Sequence, residues 1–159
     1  MPEDRSSLAV VPATPSEAPE LAGVKDGYGP EDVAERFRWL RQDVEGTWLL
    51  LKASNDVIGW CVVVWSGKRT HAEYPDMQDL YIRPENRNRG HATRLIGCIE
   101  RMARQRGHTM IGLAVNPDDN RAARRLYERL GYRHDGRPKY LDGVYGDYED
   151  WVIDLEKQI

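Results

Sequence analysis

The sequence predicts a mixed α/β (α+β) architecture: a central mixed sheet of about seven strands flanked by about four helices. Three observations carry that expectation. The apolar spacing switches repeatedly between a period near two and one near 3.6. Residues 77–115 read strand, helix, strand, the pattern of one parallel crossover unit. The length of 159 residues suits one core, so a single domain is expected over 7–159, behind a loose, polar terminus at 1–6.

Taken in order, Leu8 to Val11 forms a short strand, bracketed at its end by Pro12 and Pro15. Residues 16–24 suit a short helix, and KDGYGP (25–30) is a turn by its glycines and proline. Val33, Phe37, Leu40 and Val44 recur at helical spacing, with Gly46 as the stop. TWLLLKAS and VIGWCVVVW are rich in β-branched and aromatic residues and read as strands, with Asn55-Asp56 as the hairpin turn between them. The polar stretch 66–75 is a loop, and 77–82 is the next strand. A helix over 90–106 carries the stripe Leu95, Ile99 and Met102, and Gly107 ends it. Residues 109–115 are a strand, and Asn116 to Asp119 is a loop ending in helix-starting chemistry. The helix over 120–130 shows Ala123, Leu126, Tyr127 and Leu130 on one side and stops at Gly131. Two last strands are expected at 132–138 and 149–155.

Composition narrows the function classes. Lysine plus arginine total 23 against 26 acids, a net charge of −3, which disfavours a dedicated nucleic-acid binder but leaves room for a local anion site. Cys61 and Cys98 sit in apolar-patterned segments with no metal-ligand or redox spacing. Buried free thiols, no metal and a reducing cytoplasm are the expectation. No apolar run reaches the ~20 residues of a bilayer span. MPEDRSSLAVVPATP lacks the basic and hydrophobic regions of a signal peptide. A cytoplasmic protein without membrane contact is therefore expected.

The chemistry concentrates at DLYIRPENRNRGHATRLI, residues 79–96. A strand runs into a basic turn that opens a helix. The first amides of a helix lack intrahelical partners and lie at the positive end of its dipole. Glycine in such a turn lets backbone approach a ligand, and Arg87 and Arg89 add donors suited to phosphate. The turn therefore reads as a pyrophosphate seat, or as a solvated basic turn. It is neither a Walker loop, lacking Gly-Lys-Ser/Thr, nor a dinucleotide fingerprint, having one glycine. Further on, VNPDDNRAARRLYERLGYR sets Asn120 at a helix start and Tyr127 two turns along. Read alone, these are a cap and a core residue.

Together the two stretches resemble the GNAT family of N-acetyltransferases. Arg87, Gly90 and Ala92, preceded by Leu80-Tyr81-Ile82-Arg83-Pro84, match its Arg/Gln-x-x-Gly-x-Gly/Ala motif. Asn120, Ala123, Leu126, Tyr127, Gly131 and Tyr132 match its second motif. The resemblance is tight over 77–132 and looser over 47–76 and 133–155; Ala92 replaces the commoner second glycine. It implies the GNAT acyl-CoA N-acyltransferase fold, with Arg87, Asn88, Arg89, Gly90, His91, Ala92 and Thr93 holding the pyrophosphate of acetyl-CoA. It also implies that the backbone around Leu80, Tyr81 and Ile82 pairs with the pantetheine arm in a splay between strands 77–82 and 109–115. Asn120 would bond near that arm, and Tyr127 would face the thioester sulfur as general acid.

The implied reaction moves an acetyl group to a primary amine by direct attack in a ternary complex. An alkylammonium must first lose its proton. Asp79 and Asp76 are both candidate bases, because a bulge between splaying strands reverses which face each occupies. Glu73 and His71 are weaker candidates, and His91 reads as a neighbour of the phosphates. The oxyanion donor is a backbone N–H near Leu80 to Ile82. The amine pocket is expected from the 31–44 helix, loop 66–75 and the last hairpin. There YLDGVYGDYEDW interleaves acids with tyrosines, which suits either a cationic acceptor or a plain exposed turn. The acceptor is a small molecule or a protein amine, and the family resemblance allows a homodimer. A non-catalytic acyl-CoA-binding regulator on the same fold is the alternative.

Overall fold

The computed structural model describes residues 7–159; the loose terminus expected at 1–6 lies outside them. The elements are β1 (Leu8–Pro12), α1 (Ala18–Leu21), α2 (Pro30–Gln42), β2 (Gly46–Ala53), β3 (Asp56–Val64), β4 (Asp76–Ile82), α3 (His91–Gln105), β5 (Met110–Val115), α4 (Arg121–Arg129), β6 (Arg133–His134), β7 (Tyr140–Tyr145) and β8 (Tyr148–Gln158). The strands join in the order β1-β2-β3-β4-β5-β8-β6, and β7 pairs with β8. The β4–β5 pair is parallel and the others are antiparallel.

The sheet is apolar on both faces, which explains the unbroken hydrophobic runs of β2 and β3. Trp48, Leu50, Trp60, Val62 and Val64 turn toward α1 and α2, packing with Leu21, Val33 and Phe37. Their alternate neighbours Leu49, Cys61 and Val63 turn toward α3 and α4, packing with Leu95, Ile99 and Tyr127. The period of two decides which residue serves which layer.

Four details depart from the sequence reading. The helix expected at 16–24 is a 3-10 turn, Pro15–Glu17, followed by the single turn α1. Pro19 enters that turn without an N–H, and Gly23 ends it. The β2–β3 turn lies one residue early. Ser54 and Asn55 hold φ of 49° and 75°, and Asp56 already belongs to β3. Two positive φ values match a turn whose twist suits a hairpin. The strand expected at 132–138 stops at His134, because Asp135 accepts the Arg137 N–H at 2.9 Å and bends the chain ahead of Pro138. The sheet gains β7, an eighth strand, whose alternation is hidden by a register shift between Leu141 and Gly143.

Candidate active site

The pairing of β4 with β5 is short. Asp76 lies opposite Gly112 and Met77 opposite Leu113, and the ladder ends there. From Gln78 onward β4 turns away, and a cleft of about 1090 Å³ opens between the strands. On its other edge β4 bulges: Trp60 faces Tyr81 and Val62 faces Gln78, so Asp79 and Leu80 together oppose Cys61. Asp79 takes the strain at φ 48°. The bulge expected between parting strands is present, set against β3.

Around this cleft the fold assembles Leu80, Asn120 and Tyr127 with Asp76 and Asp79. Asn120 starts α4 but makes no side-chain cap bond, so its amide is not committed to the helix end. Tyr127 is 8% exposed and packs edge-on to Tyr132. Among the described residues no hydrogen bond reaches its hydroxyl, which is not a sealed orphan either, so it opens on the cleft. Burial, and next the neighbouring Cys61, push its pKa well above the ordinary tyrosine range. The side chain therefore keeps its proton at neutral pH.

The basic turn flanks the cleft without lining it. Gly90 holds φ 83°, and a Cβ there would meet nothing within 4 Å, so conformation alone requires glycine. The helix's first returning bond runs from the Arg94 N–H to the Gly90 carbonyl at 3.0 Å. The amides ahead of it, through Ala92 and Thr93, belong to the first turn. Arg87 donates to the Ile82 carbonyl at 2.8 Å and lies 5.6 Å from the Tyr81 ring, which braces the turn against the end of β4. Asn88 is exposed at φ 61°, and Arg89 is exposed beside it. His91, the first residue of α3, is buried. Tyr81 packs toward Trp60 on the opposite layer, and Ile82 is buried beside Ala92. What β4 offers a ligand beyond Leu80 is therefore backbone.

Asp79 is the centre of a clamp. Lys25 donates to it at 2.6 Å, Arg36 at 2.7 Å and the Trp60 indole at 3.1 Å. Burial raises the carboxyl's pKa, but Arg36 and Lys25 more than offset this and hold it below the ordinary aspartate value. It stays ionised and is a weak proton acceptor. The Arg36 guanidinium itself lies against Tyr28 and Trp48, 4.8 Å from each ring. Asp76 is buried and meets His71 at 3.0 Å and Gln78 at 2.9 Å. Glu73 is exposed on the same loop and does not line the cleft.

The three regions expected to form the amine pocket all reach the cleft: Arg36 from α2, Lys68 from loop 66–75, and Asp142, Tyr145, Tyr148 and Asp150 from the last hairpin. Burial draws the Lys68 pKa down, but Asp76, Tyr140 and Asp142 reverse that and raise it overall. Sequence reasoning missed Asn116. Its side-chain oxygen accepts the Asp118 and Asp119 amides, and its NH2 reaches Tyr148 and Asp150, each at 3.0 Å. The Asn-Pro-Asp-Asp string signals the turn. Its tie to the distant hairpin has no local signal.

The sequence model of the acetyltransferase (GNAT) family matches residues 15–132. Solved structures share the fold at low identity. A spermidine N-acetyltransferase from Vibrio cholerae, in complex with CoA and spermine, is 16% identical with a TM-score of 0.72, over 96% of each chain. A putative acetyltransferase from Salmonella typhimurium, solved with acetyl-CoA, is 16% identical with a TM-score of 0.71, over 96% of this chain and 94% of its own. The PaiA N-acetyltransferase from Thermoplasma acidophilum, in complex with coenzyme A, is 14% identical with a TM-score of 0.69, over 96% of this chain and 99% of its own.

Proposed function

The chain belongs to the acetyltransferase (GNAT) family, and from that premise we propose that it moves the acetyl group of acetyl-CoA to a primary amine by direct attack in a ternary complex. The observation that carries this reading is the early end of the β4–β5 ladder, with the Tyr127 hydroxyl and the uncommitted Asn120 amide on the cleft it opens. Acetyl-CoA supplies the acyl group in activated form, as a thioester. The turn from Arg87 to Thr93 takes its pyrophosphate on helix-end amides. Backbone from Leu80 to Ile82, released from β5, aligns the arm and offers an N–H where negative charge develops. Asn120 bonds to the arm, and Tyr127, still protonated, donates to the departing sulfur.

The amine proton leaves past the Asp76–Asp79 segment through water. The clamp leaves Asp79 ionised and committed to Lys25 and Arg36, a weak proton acceptor. Five carboxylates (Asp76, Asp79, Asp119, Asp142, Asp150) and three cations (Lys25, Arg36, Lys68) line the cleft, which favours a cationic acceptor. The Vibrio cholerae relative was solved with such an amine. Two free cysteines, one sealed in the core, suit a reducing cytoplasm.

The test is release of free CoA from acetyl-CoA across a panel of amines: polyamines, diamines, lysine peptides and neutral monoamines. Polyamines should be fastest. No CoA release with any amine, and no thermal stabilisation by CoA, refutes the proposal. CoA stabilisation without release would mark the non-catalytic binder instead.

A further inference from the structure

Residues 66–75 connect β3 to β4 and look like an ordinary polar loop, yet they cross the sheet as a strap. Lys68 reaches Asp142 of β7 at 3.3 Å, Thr70 donates to Asp154 of β8 at 2.6 Å, His71 meets Asp76 of β4 at 3.0 Å, and Tyr74 donates to Glu156 of β8 at 2.8 Å. The His71 and Tyr74 rings stack, with centroids 4.3 Å apart. Beneath them passes Gly112 of β5. A Cβ there would lie 2.8 Å from the Tyr74 ring and 3.3 Å from His71 Nε2, so the strap rests directly on backbone. Gly112 is also the residue opposite Asp76 in the short parallel ladder, and its N–H donates to the Pro75 carbonyl at 3.0 Å. The strap therefore sits on the rungs at which β4 and β5 are still joined.

We propose that the buried His71–Asp76 pair is the pin of this strap, and that it fixes where β4 and β5 separate and so positions the cleft for the acyl-carrying arm of CoA. The role rests on the acyltransferase reading above. His71 is thus a positioning residue, acting through Asp76 and Gly112.

The proton count supports a pin rather than a base. His71 Nδ1 lies 3.2 Å from the Tyr74 carbonyl, which only accepts, so Nδ1 carries a proton. Asp76 Oδ2 accepts from Gln78. The Nε2–Oδ1 contact then holds one proton, and without it a nitrogen lone pair faces a carboxylate. Both side chains are at most 2% exposed, so water does not replace the lost bond. The groups facing His71 are Asp76 from β4, Asp154 from β8 and the Tyr74 carbonyl from the strap; Gly112 of β5 brings no charge. Burial lowers the His71 pKa, and Asp76, Tyr74 and Asp154 more than reverse it. A pKa raised on folding means the pin is whole below the unfolded value of about 6.5 and is lost as pH rises through the folded value.

The test reads CoA affinity, by calorimetric titration of the full chain at about pH 6.5 and about pH 9. His71→Ala should weaken CoA binding roughly tenfold at the lower pH, the size of an ordinary coupling between neighbouring sites. It should also lose most of the wild-type weakening between the two conditions. Asp76→Asn offers an amide N–H to His71 Nε2 and an oxygen to Gln78, keeping the contact without a titrating proton. It should bind CoA with the shallower pH slope of His71→Ala. Folded variants that bind CoA with wild-type affinity and slope overturn the pin alone. If His71→Ala fails to fold, the slope of Asp76→Asn decides. A wild-type chain that binds no CoA overturns the acyltransferase reading and takes the pin with it.

Discussion

Replacing Asp79 by asparagine tests the clamp with little change of shape. Asparagine tolerates the left-handed conformation that residue 79 adopts at φ 48°, so the backbone is spared. The charge is what disappears. Arg36 is 14% exposed, and a hydrogen bond to a charged group at that depth contributes about 1.5–3 kcal/mol. Lys25 is 34% exposed, so its bond counts as a surface pair of about 0.2–1 kcal/mol. The asparagine oxygen still accepts one donor, which returns about 1 kcal/mol. Asp79→Asn should therefore cost about 2 kcal/mol at neutral pH, read as the shift in urea midpoint at constant slope. The pH dependence follows from the lowered carboxyl pKa. A depressed folded value means the clamp's contribution is fully present above the unfolded value of about 3.9 and is lost as pH falls through the folded one. The two proteins should differ by a constant amount from neutral pH to about pH 5, and converge in stronger acid. A difference under about 0.5 kcal/mol, the range of an ordinary surface substitution, or one that persists in acid, would refute the reasoning.

Three further outcomes are expected. Tyr127→Phe removes a hydroxyl with no protein partner among the described residues; its melting temperature should stay close to wild type while turnover falls by about 10²-fold or more, measured as CoA release at saturating amine. Unchanged turnover would remove Tyr127 from the reaction. Gly112→Ala drives a methyl to 2.8 Å from the Tyr74 ring and 3.2 Å from the Leu155 carbonyl; calorimetry should show a loss of about 1–3 kcal/mol. A stability equal to wild type would mean the strap does not press on β5. Gly90→Ala meets no neighbour, so its cost should be the left-handed strain alone, about 1–2 kcal/mol. Gly90→Asn should cost less, and equal losses for the two would contradict that account.

Legibility divides by distance along the chain. The helices α2, α3 and α4 were readable because each buries a stripe set by its own period. The last hairpin is less legible. Its side chains Val144, Tyr145, Tyr148 and Trp151 stay exposed, so burial imposed no clean alternation there. Asn120 and Tyr127 were readable as a pair only because six positions of one sequence pattern matched. That they share a cleft with Leu80 required the two strands to part.

The sequence by itself determined the local devices. A glycine free to take positive φ opens α3, an apolar stripe seats that helix, and runs of β-branched residues build a sheet buried on both faces. Each depends on neighbours within about two turns of the chain. Only the tertiary structure decided which charges meet. Asp79 is bound by Lys25 and Arg36 from 54 and 43 residues away, and His71 is held above Gly112 of β5. Coulombic attraction has no period and any acid attracts any cation, so the partners are chosen by the packing that brings them together.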